Sequence, residues 1–377
     1  MALEDLFRLM AERSASDLYL SVDAPVTFRE QGVCVQLGEA RLTETQLREL
    51  LAERLTPEQW ATLERQCELN VGVRLPTVGS FRISAFIQRG QPAAVVRYIP
   101  EEIPGLDRLG LPAALQRMAL QGSGLILVAG AAGSGKTTTV AAMLDHRNTL
   151  LSGHILTYEE PIEYLFPNRK SIVNQRELGI DAPSLEAALA NALRQAPDVL
   201  MLGEIRDRET MSAALAYAMS GHLVVATIHA TNSAYALNRV IGFYPPQTRE
   251  SLFKDLAVAL HAVVALRLVR GRDGRRLPAA EILANTGYTT DLIDRGDVQA
   301  IKEALASSLA PRSQTFEQSL YALLQQDAIT RAEALAAADS ENNLLWLINN
   351  GGKPASAAPT PDDDPHKATF SEFSLNL

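Results

Sequence analysis

Leu125-Ile126-Leu127-Val128-Ala129-Gly130-Ala131-Ala132-Gly133-Ser134-Gly135-Lys136-Thr137 joins an unbroken apolar run to the spacing G-x-x-x-x-G-K-[ST]. The apolar half reads as a strand, and a helix is predicted to begin at Lys136. Glycines at this spacing let backbone N–H groups curl around phosphate oxygens, and a helix N-terminus adds partial positive charge. The expected nucleotide contacts are therefore Gly130, Gly133, Ser134, Gly135, Lys136, Thr137 and Thr138. Lys136 is placed to reach the β- and γ-phosphates. Thr137 offers a hydroxyl to Mg²⁺, which takes few protein ligands and keeps several waters. A chance glycine-rich turn would not come with both the strand before it and the helix after it.

Outward from this loop, further apolar runs occur at 155–156, 199–202 and 223–228, separated by helical spacing such as Leu185, Leu189 and Leu193. Strands buried on both faces read this way, and their alternation with helices implies an α/β domain around a parallel sheet. The stretch 256–269 contains His261 and Arg267 and reads as a buried helix running toward a strand. Beyond Arg270 the pattern reads as helical.

The first hundred residues have a different texture. Leu18, Leu20 and Val22 alternate, as do Val33, Val35 and Leu37, and Val71, Val73 and Leu75, which is the period of half-buried strands. Further strands are expected at 81–87 and 93–99. Thr43 with Gln46, and Thr56 with Pro57 and Gln59, read as helix starts with reciprocal caps. The expected organisation is an α+β domain at 1–99, a Pro/Gly-marked linker at 100–110, an α/β core at 111–285, a helical region at 286–350 and a disordered tail at 351–377. The tail is rich in Pro, Ala, Ser and Asp. Its Phe370 and Phe373 are weighed as a docking motif, with a plain tail the better reading.

Composition excludes several classes. The formal charge of −9 and sequence pI of about 5.3 disfavour a general nucleic-acid or anionic-membrane binder. Cys34 and Cys67 fit neither a four-ligand zinc site nor a redox motif. The N-terminal sequence does not read as a signal peptide, and no run approaches the roughly 18 apolar residues of a membrane span.

Three further segments carry carboxylates and histidines at strand ends. Pro197 through Glu204 is an apolar strand ending in an acid, the pattern of a carboxylate held near a metal or its water shell beside a phosphate loop. Tyr158-Glu159-Glu160-Pro161-Ile162-Glu163 puts three carboxylates near the end of another strand, where one could polarise an attacking water or all could form a solvated acidic turn. His222 and His229 bracket the strand 223–228. They read either as structural histidines or as a pair that reports on the γ-phosphate.

These four elements, in this order, resemble the secretion ATPases of type IV pilus and type II secretion systems. The loop at 130–137 looks like their Walker A, Glu159-Glu160-Pro161-Ile162-Glu163 their Asp box, Gly203-Glu204-Ile205-Arg206-Asp207 their Walker B with its Arg-Asp, and His222 to His229 their His box. Ala15-Ser16-Asp17-Leu18-Tyr19-Leu20, Phe81-Arg82 and Val96-Arg97 match the N-terminal domain of that family. The resemblance implies a RecA-like P-loop core preceded by a smaller, PAS-like α+β domain. It implies that ATP is hydrolysed with Mg²⁺ held by Thr137 and Glu204. Glu163 would be the catalytic glutamate, His229 the γ-phosphate sensor with His222 in support, and Arg82 and Arg97 the arginines offered to nucleotide. Glu160 stands where the family usually has Asp, which leaves its metal-shell role open.

The absence of a large extra domain and of a four-cysteine motif places the resemblance on the shorter retraction branch, the PilT and PilU proteins. Gln299-Ala300-Ile301-Lys302-Glu303-Ala304 has lysine where PilT carries arginine. Gln314-Thr315-Phe316-Glu317-Gln318 and Ala338-Asp339-Ser340 look more like PilU. The implied protein is a hexameric ATPase in type IV pilus retraction, cytoplasmic and recruited to an inner-membrane platform protein, acting with a PilT-type ATPase, with no nucleic-acid partner and no membrane insertion. The alternative is a nucleotide-gated adaptor that regulates another motor.

Overall fold

The computed structural model describes residues 2–352 except 31, 77, 100–101, 308–309 and 311. The tail from 353 on, with Phe370 and Phe373, and Pro100-Glu101 of the expected linker lie outside the described residues. The chain divides into two compact units, Met1–Ile103 with Glu163–Pro167, and Pro104–Ile162 with Asn168–Leu377.

The first unit runs α1 (Leu3–Glu12), β1 (Ala15–Ser21), β2 (Pro25–Glu30), β3 (Val33–Arg41), α2 (Glu44–Ala52), α3 (Pro57–Gln66), β4 (Glu68–Leu75), β5 (Gly79–Gln88) and β6 (Gln91–Ile99). Its strands form one antiparallel sheet in the order β3-β2-β1-β6-β5-β4. Both threonine caps form. Gln46 N donates to Thr43 Oγ1 at 3.2 Å while Thr43 N donates to Gln46 Oε1 at 2.9 Å, and Thr56 and Gln59 repeat the pattern. Leu3, Leu6, Phe7 and Met10 bury one face of α1, with Phe7 stacked on Phe81 at 4.3 Å.

One expectation changes here. Alternation in Val33, Val35 and Leu37 predicts a half-buried strand. The strand exists, yet Val33 is 64% exposed and Val35 36%. The helices α1 to α3 cover β1, β6, β5 and β4, so β3 at the sheet's edge has no layer to bury its apolar face against.

The second unit runs α4 (Ala114–Ala119), β7 (Gly124–Gly130), α5 (Lys136–Leu150), β8 (Gly153–Glu159), β9 (Ser171–Glu177), α6 (Leu185–Ala192), β10 (Val199–Leu202), α7 (Arg208–Met219), β11 (Leu223–Ile228), α8 (Ser233–Gly242), α9 (Arg249–Ala259), β12 (Leu260–Arg270), β13 (Arg276–Ala284), α10 (Tyr288–Asp294), α11 (Val298–Ala306), α12 (Phe316–Gln325), α13 (Arg331–Ala337) and α14 (Glu341–Asn349). Its seven-stranded sheet has the order β13-β12-β7-β11-β10-β8-β9, parallel except for the β12–β13 hairpin. The four predicted buried runs are β7, β8, β10 and β11, and every residue of β7, β10 and β11 is buried.

The stretch 256–269 is mostly strand. The helix ends at Ala259, and the eleven-residue β12 follows, its first part from Leu260 to Leu266 pairing in parallel with β7, where Val263 and Val264 suit an extended, buried position. The reading of a helical chain beyond Arg270 is likewise corrected, because β13 returns antiparallel to β12 before the helices begin. No helix among the described residues is long and apolar enough to cross a membrane.

β13 carries Glu281, which is buried and accepts from Ser233 N at 2.7 Å and Ser233 Oγ at 2.6 Å. Burial pushes this carboxyl above its ordinary value of 4.5, against the lowering effect of the two serine bonds. Between the ordinary and the raised value the folded chain holds a proton that the unfolded chain has released, so this group makes stability fall as pH rises through that window. Gln at 281 keeps an acceptor oxygen and removes the titration. Melting temperature followed from pH 5 to pH 8 is expected to fall less steeply in Glu281→Gln than in the parent; equal slopes would show that Glu281 does not couple to folding.

Candidate nucleotide site

β7 delivers the glycine-rich loop to the C-terminal edge of the parallel sheet, and α5 starts at Lys136 directly after it. Gly133 and Gly135 adopt φ of +73° and +93°, which an L side chain rarely does, and these turns make the loop concave. Among the described residues, no acceptor is bonded to the backbone N–H groups of Gly133, Gly135 or Thr137. Unbonded N–H groups of a glycine-rich loop at a helix N-terminus are suited to cradle an anion.

Lys136 is 8% exposed, and its ammonium donates to Gly130 O and Ala131 O, both at 2.9 Å. The loop's own carbonyls thus hold the cation across the cradle. Gly130 has no room for a side chain: a Cβ there would meet Ser134 Oγ at 2.1 Å and Leu266 O at 2.9 Å.

The register fixes what stands beside the loop. Ile228 pairs with Ala129, so His229 falls level with Gly130 one strand away, about 5 Å. Leu202 pairs with Ala226, so Glu204 arrives at the same edge two strands away, about 10 Å. Gly203 is the residue that permits this turn, because a Cβ would press on Tyr158 O at 3.1 Å and Glu159 Cα at 3.3 Å. Thr227 Oγ1 donates to Gly203 O, tying β11 to the start of that turn.

A continuous polar chain runs along this edge. His229 Nε2 lies 3.3 Å from Glu204 Oε1. Glu204 Oε2 accepts from Arg206 Nε at 2.7 Å, and Arg206 Nη1 donates to Glu160 Oε2 at 2.9 Å. The bonded Glu204 carboxylate, with Glu160 beyond it, holds the Arg206 guanidinium above its ordinary value. Glu159, at the end of β8, is buried and accepts from Thr157 Oγ1 at 2.6 Å and Gln175 Nε2 at 3.0 Å.

The structure thus brings together the loop residues, Glu204, His229 and Glu160. Glu163 is exposed in an irregular stretch after the cis Glu160–Pro161 bond, within the segment that groups with the first unit. His222 stands just before the far end of β11, one residue before the Leu223–Gly124 pair and about 23 Å along the strand from the level of Gly130. There its Nδ1 is 3.2 Å from Tyr217 O and its ring meets Tyr217 edge-on. Arg82 and Arg97 sit directly opposite each other on β5 and β6, and Arg97 Nε donates to Asp17 Oδ1 on β1 at 2.9 Å.

Arg206 is quoted in the sequence only as part of the Arg-Asp step, with no role given to it. Its signal was present, because the Arg-Asp step after Glu204 puts a cation two residues from the acid, while Asp207 caps α7 through Thr210 N at 2.8 Å. Among the described residues no group of three or more His, Cys, Asp or Glu side chains is placed to hold a metal. The donors at hand, the Thr137 hydroxyl and the Glu204 carboxylate, are hard oxygens. They fit Mg²⁺, which binds proteins through one or two ligands and completes its shell with phosphate and water.

Residues 4–334 match the family profile described as type II/IV secretion system protein. The chain is 41% identical over 354 residues to the type IV pilus ATPase PilU of Pseudomonas aeruginosa, covering 94% of this chain and 93% of that one. It is 34% identical over 344 residues to the type IV pilus retraction ATPase PilT of the same organism, covering 91% of this chain and 100% of that one. A crystal structure of the pilus retraction motor PilT with bound ADP superposes with a TM-score of 0.86 at 34% identity, covering 92% of this chain and 99% of the other.

Proposed function

The chain belongs to the type II/IV secretion system protein family of ATPases, and from that premise we propose that it is a hexameric motor that hydrolyses MgATP to power or assist type IV pilus retraction. In this reading it acts on the cytoplasmic side of the inner membrane, held there by a pilus platform protein, together with a PilT-type ATPase. The observation that carries the reading is the Glu160–Arg206–Glu204–His229 chain lying along the same sheet edge as Lys136.

The residues divide the work. Backbone N–H groups of the loop and Lys136 bind the phosphates. Thr137 and Glu204 hold Mg²⁺ or its waters, and that ion neutralises charge developing on the phosphoryl oxygens. Glu163 accepts the proton of the attacking water, His229 senses the γ-phosphate, and His222 supports the nucleotide-linked subunit interface. Arg82 and Arg97 offer guanidinium groups to nucleotide at a domain or subunit boundary. Head-to-tail contacts that close into a ring let one subunit's hydrolysis act on the next.

Glu163→Gln is expected to lower the turnover of ATP about a hundredfold or more, the contribution of a positioned general base, while nucleotide affinity stays within a few-fold of the parent. Steady-state phosphate release with parallel nucleotide titration measures both, and an unchanged turnover would remove Glu163 from the mechanism. One observation favours a second reading. Lys302 is exposed on α11, where the retraction motors' arginine is expected. A nucleotide-gated adaptor would need the ring's shape rather than its own hydrolysis.

A further inference from the structure

Two segments singled out in the sequence, 314–318 and 338–340, converge on one guanidinium. Arg267, on β12, lies over the Phe316 ring at 3.6 Å from its centroid. Its Nη2 donates to Asp339 Oδ1 at 2.6 Å and to Thr231 O at 3.2 Å, and its Nη1 donates to Ala337 O. The other Asp339 oxygen accepts from Asn232 Nδ2 at 2.8 Å. Ser340 N donates to Glu317 Oε1 at 2.8 Å, which fixes the backbone on the other side of Asp339.

Asn232 is the decisive contact. It is buried and caps α8, with Oδ1 accepting from Tyr235 N at 2.9 Å, and so sets where the helix begins. Ser233 beside it is held by Glu281 from β13. The segment from His229 to Asn232 is only four residues long. One end leaves β11, and the other is pinned through Thr231 and Asn232 to Arg267 and Asp339. His229 has little freedom to move against Glu204 unless this clamp moves.

We propose that Asp339, acting through Arg267 and Asn232, is a positioning residue that sets His229 against Glu204, so that the α13–α14 region governs the rate of hydrolysis rather than nucleotide affinity. This rests on the reading that the His229–Glu204 pair acts in hydrolysis. The exposure of the Asp339 side chain is 27% and that of Arg267 is 22%, so solvent reaches the clamp and a binding event on α13–α14 can load it.

The bond's direction supplies the test. In Asp339→Asn the amide keeps an oxygen for Arg267 but turns an N–H₂ group toward the Asn232 N–H₂. In Asn232→Asp the cap oxygen is kept, and a carboxylate faces the Asp339 carboxylate. In the double swap, Asp339→Asn with Asn232→Asp, the hydrogen bond returns with donor and acceptor exchanged. Each single change is expected to lower kcat about tenfold with KM for ATP within about twofold, the size of effect a sub-ångström displacement produces. The double swap is expected to recover kcat to within about threefold of the parent. Circular dichroism and melting curves on all three check folding, and His229→Ala is run beside them.

If His229→Ala slows hydrolysis while Asp339→Asn does not, the positioning role is overturned and the site reading stands. An unaffected His229→Ala would instead overturn the site reading. A double swap that stays as slow as the singles would mean that Asp339 serves folding only, which also overturns the proposal.

Discussion

Lys136→Ala is expected to weaken nucleotide binding by roughly 10- to 150-fold and to bring phosphate release to background. The ammonium is almost fully buried and bridges Gly130 O and Ala131 O. Substrate phosphate gains a charge-assisted partner there without the cost of ordering a flexible side chain. A hydrogen bond to a charged group is worth about 1.5–3 kcal/mol, and each 1.4 kcal/mol is tenfold in affinity. The alanine variant also leaves two buried-side carbonyls without their cation, so a modest fall in melting temperature accompanies it. Nucleotide titration by fluorescence and phosphate release on the purified protein give the two numbers, and wild-type affinity in the variant would remove the loop from the site. In cells lacking the native chain, retraction restored by Lys136→Ala would overturn the motor reading.

Gly130→Ala is the second large effect, and it acts through space rather than charge. The added Cβ would stand 2.1 Å from Ser134 Oγ and 2.9 Å from Leu266 O. The serine hydroxyl can rotate away. Leu266 O belongs to the backbone of β12 and is fixed by the sheet, so the loop must move instead. Forcing a methyl group into a filled site costs about 1–3 kcal/mol, and a displaced loop no longer presents its N–H groups as a cradle. Loss of nucleotide binding together with a melting point lower by several degrees is the expected result. Gly122→Ala is the control, since nothing lies within 4 Å of a Cβ there and its change should stay within about 0.5 kcal/mol. Equal behaviour of the two variants would show that the packing at Gly130 does not matter.

The parts of the fold that were legible in the sequence are those with one dominant signal. Unbroken apolar runs marked β7, β10 and β11, and the glycine–lysine spacing marked the loop between β7 and α5. β13 was missed because Pro278 and Glu281 argue against a strand. The structure tolerates both, the proline because β13 is an edge strand and the acid because Ser233 bonds it. β9 was missed because Ser171-Ile172-Val173-Asn174-Gln175-Arg176-Glu177 is mostly polar, as an edge strand with one neighbour can be. β12 was read in part as helix because a short apolar run has no period of its own.

At the site, Glu204 and His229 were legible from strand ends. The Arg206–Glu160 bond spans 46 residues and the Asn232–Asp339 bond 107, and no local pattern announces contacts of that range. His222 shows the converse limit. Two histidines bracketing one strand look like a pair in the sequence, yet an extended chain carries them to opposite edges of the sheet.

The strand order also says when, during synthesis, this protein acquires a binding site. β7 leaves the ribosome early, but both of its neighbours come late: β11 begins at Leu223 and β12 at Leu260. Until then the strand beneath the glycine-rich loop has no ladder to join, and the Leu266 carbonyl that closes the loop's floor does not yet exist. Pairing across such separations delays folding, because the chain must lose the entropy of a long loop before any contact rewards it. A nascent chain that stops short of about residue 270 therefore has the complete loop sequence and no means of holding it in shape, and nucleotide stabilises only a polypeptide that already extends through β12.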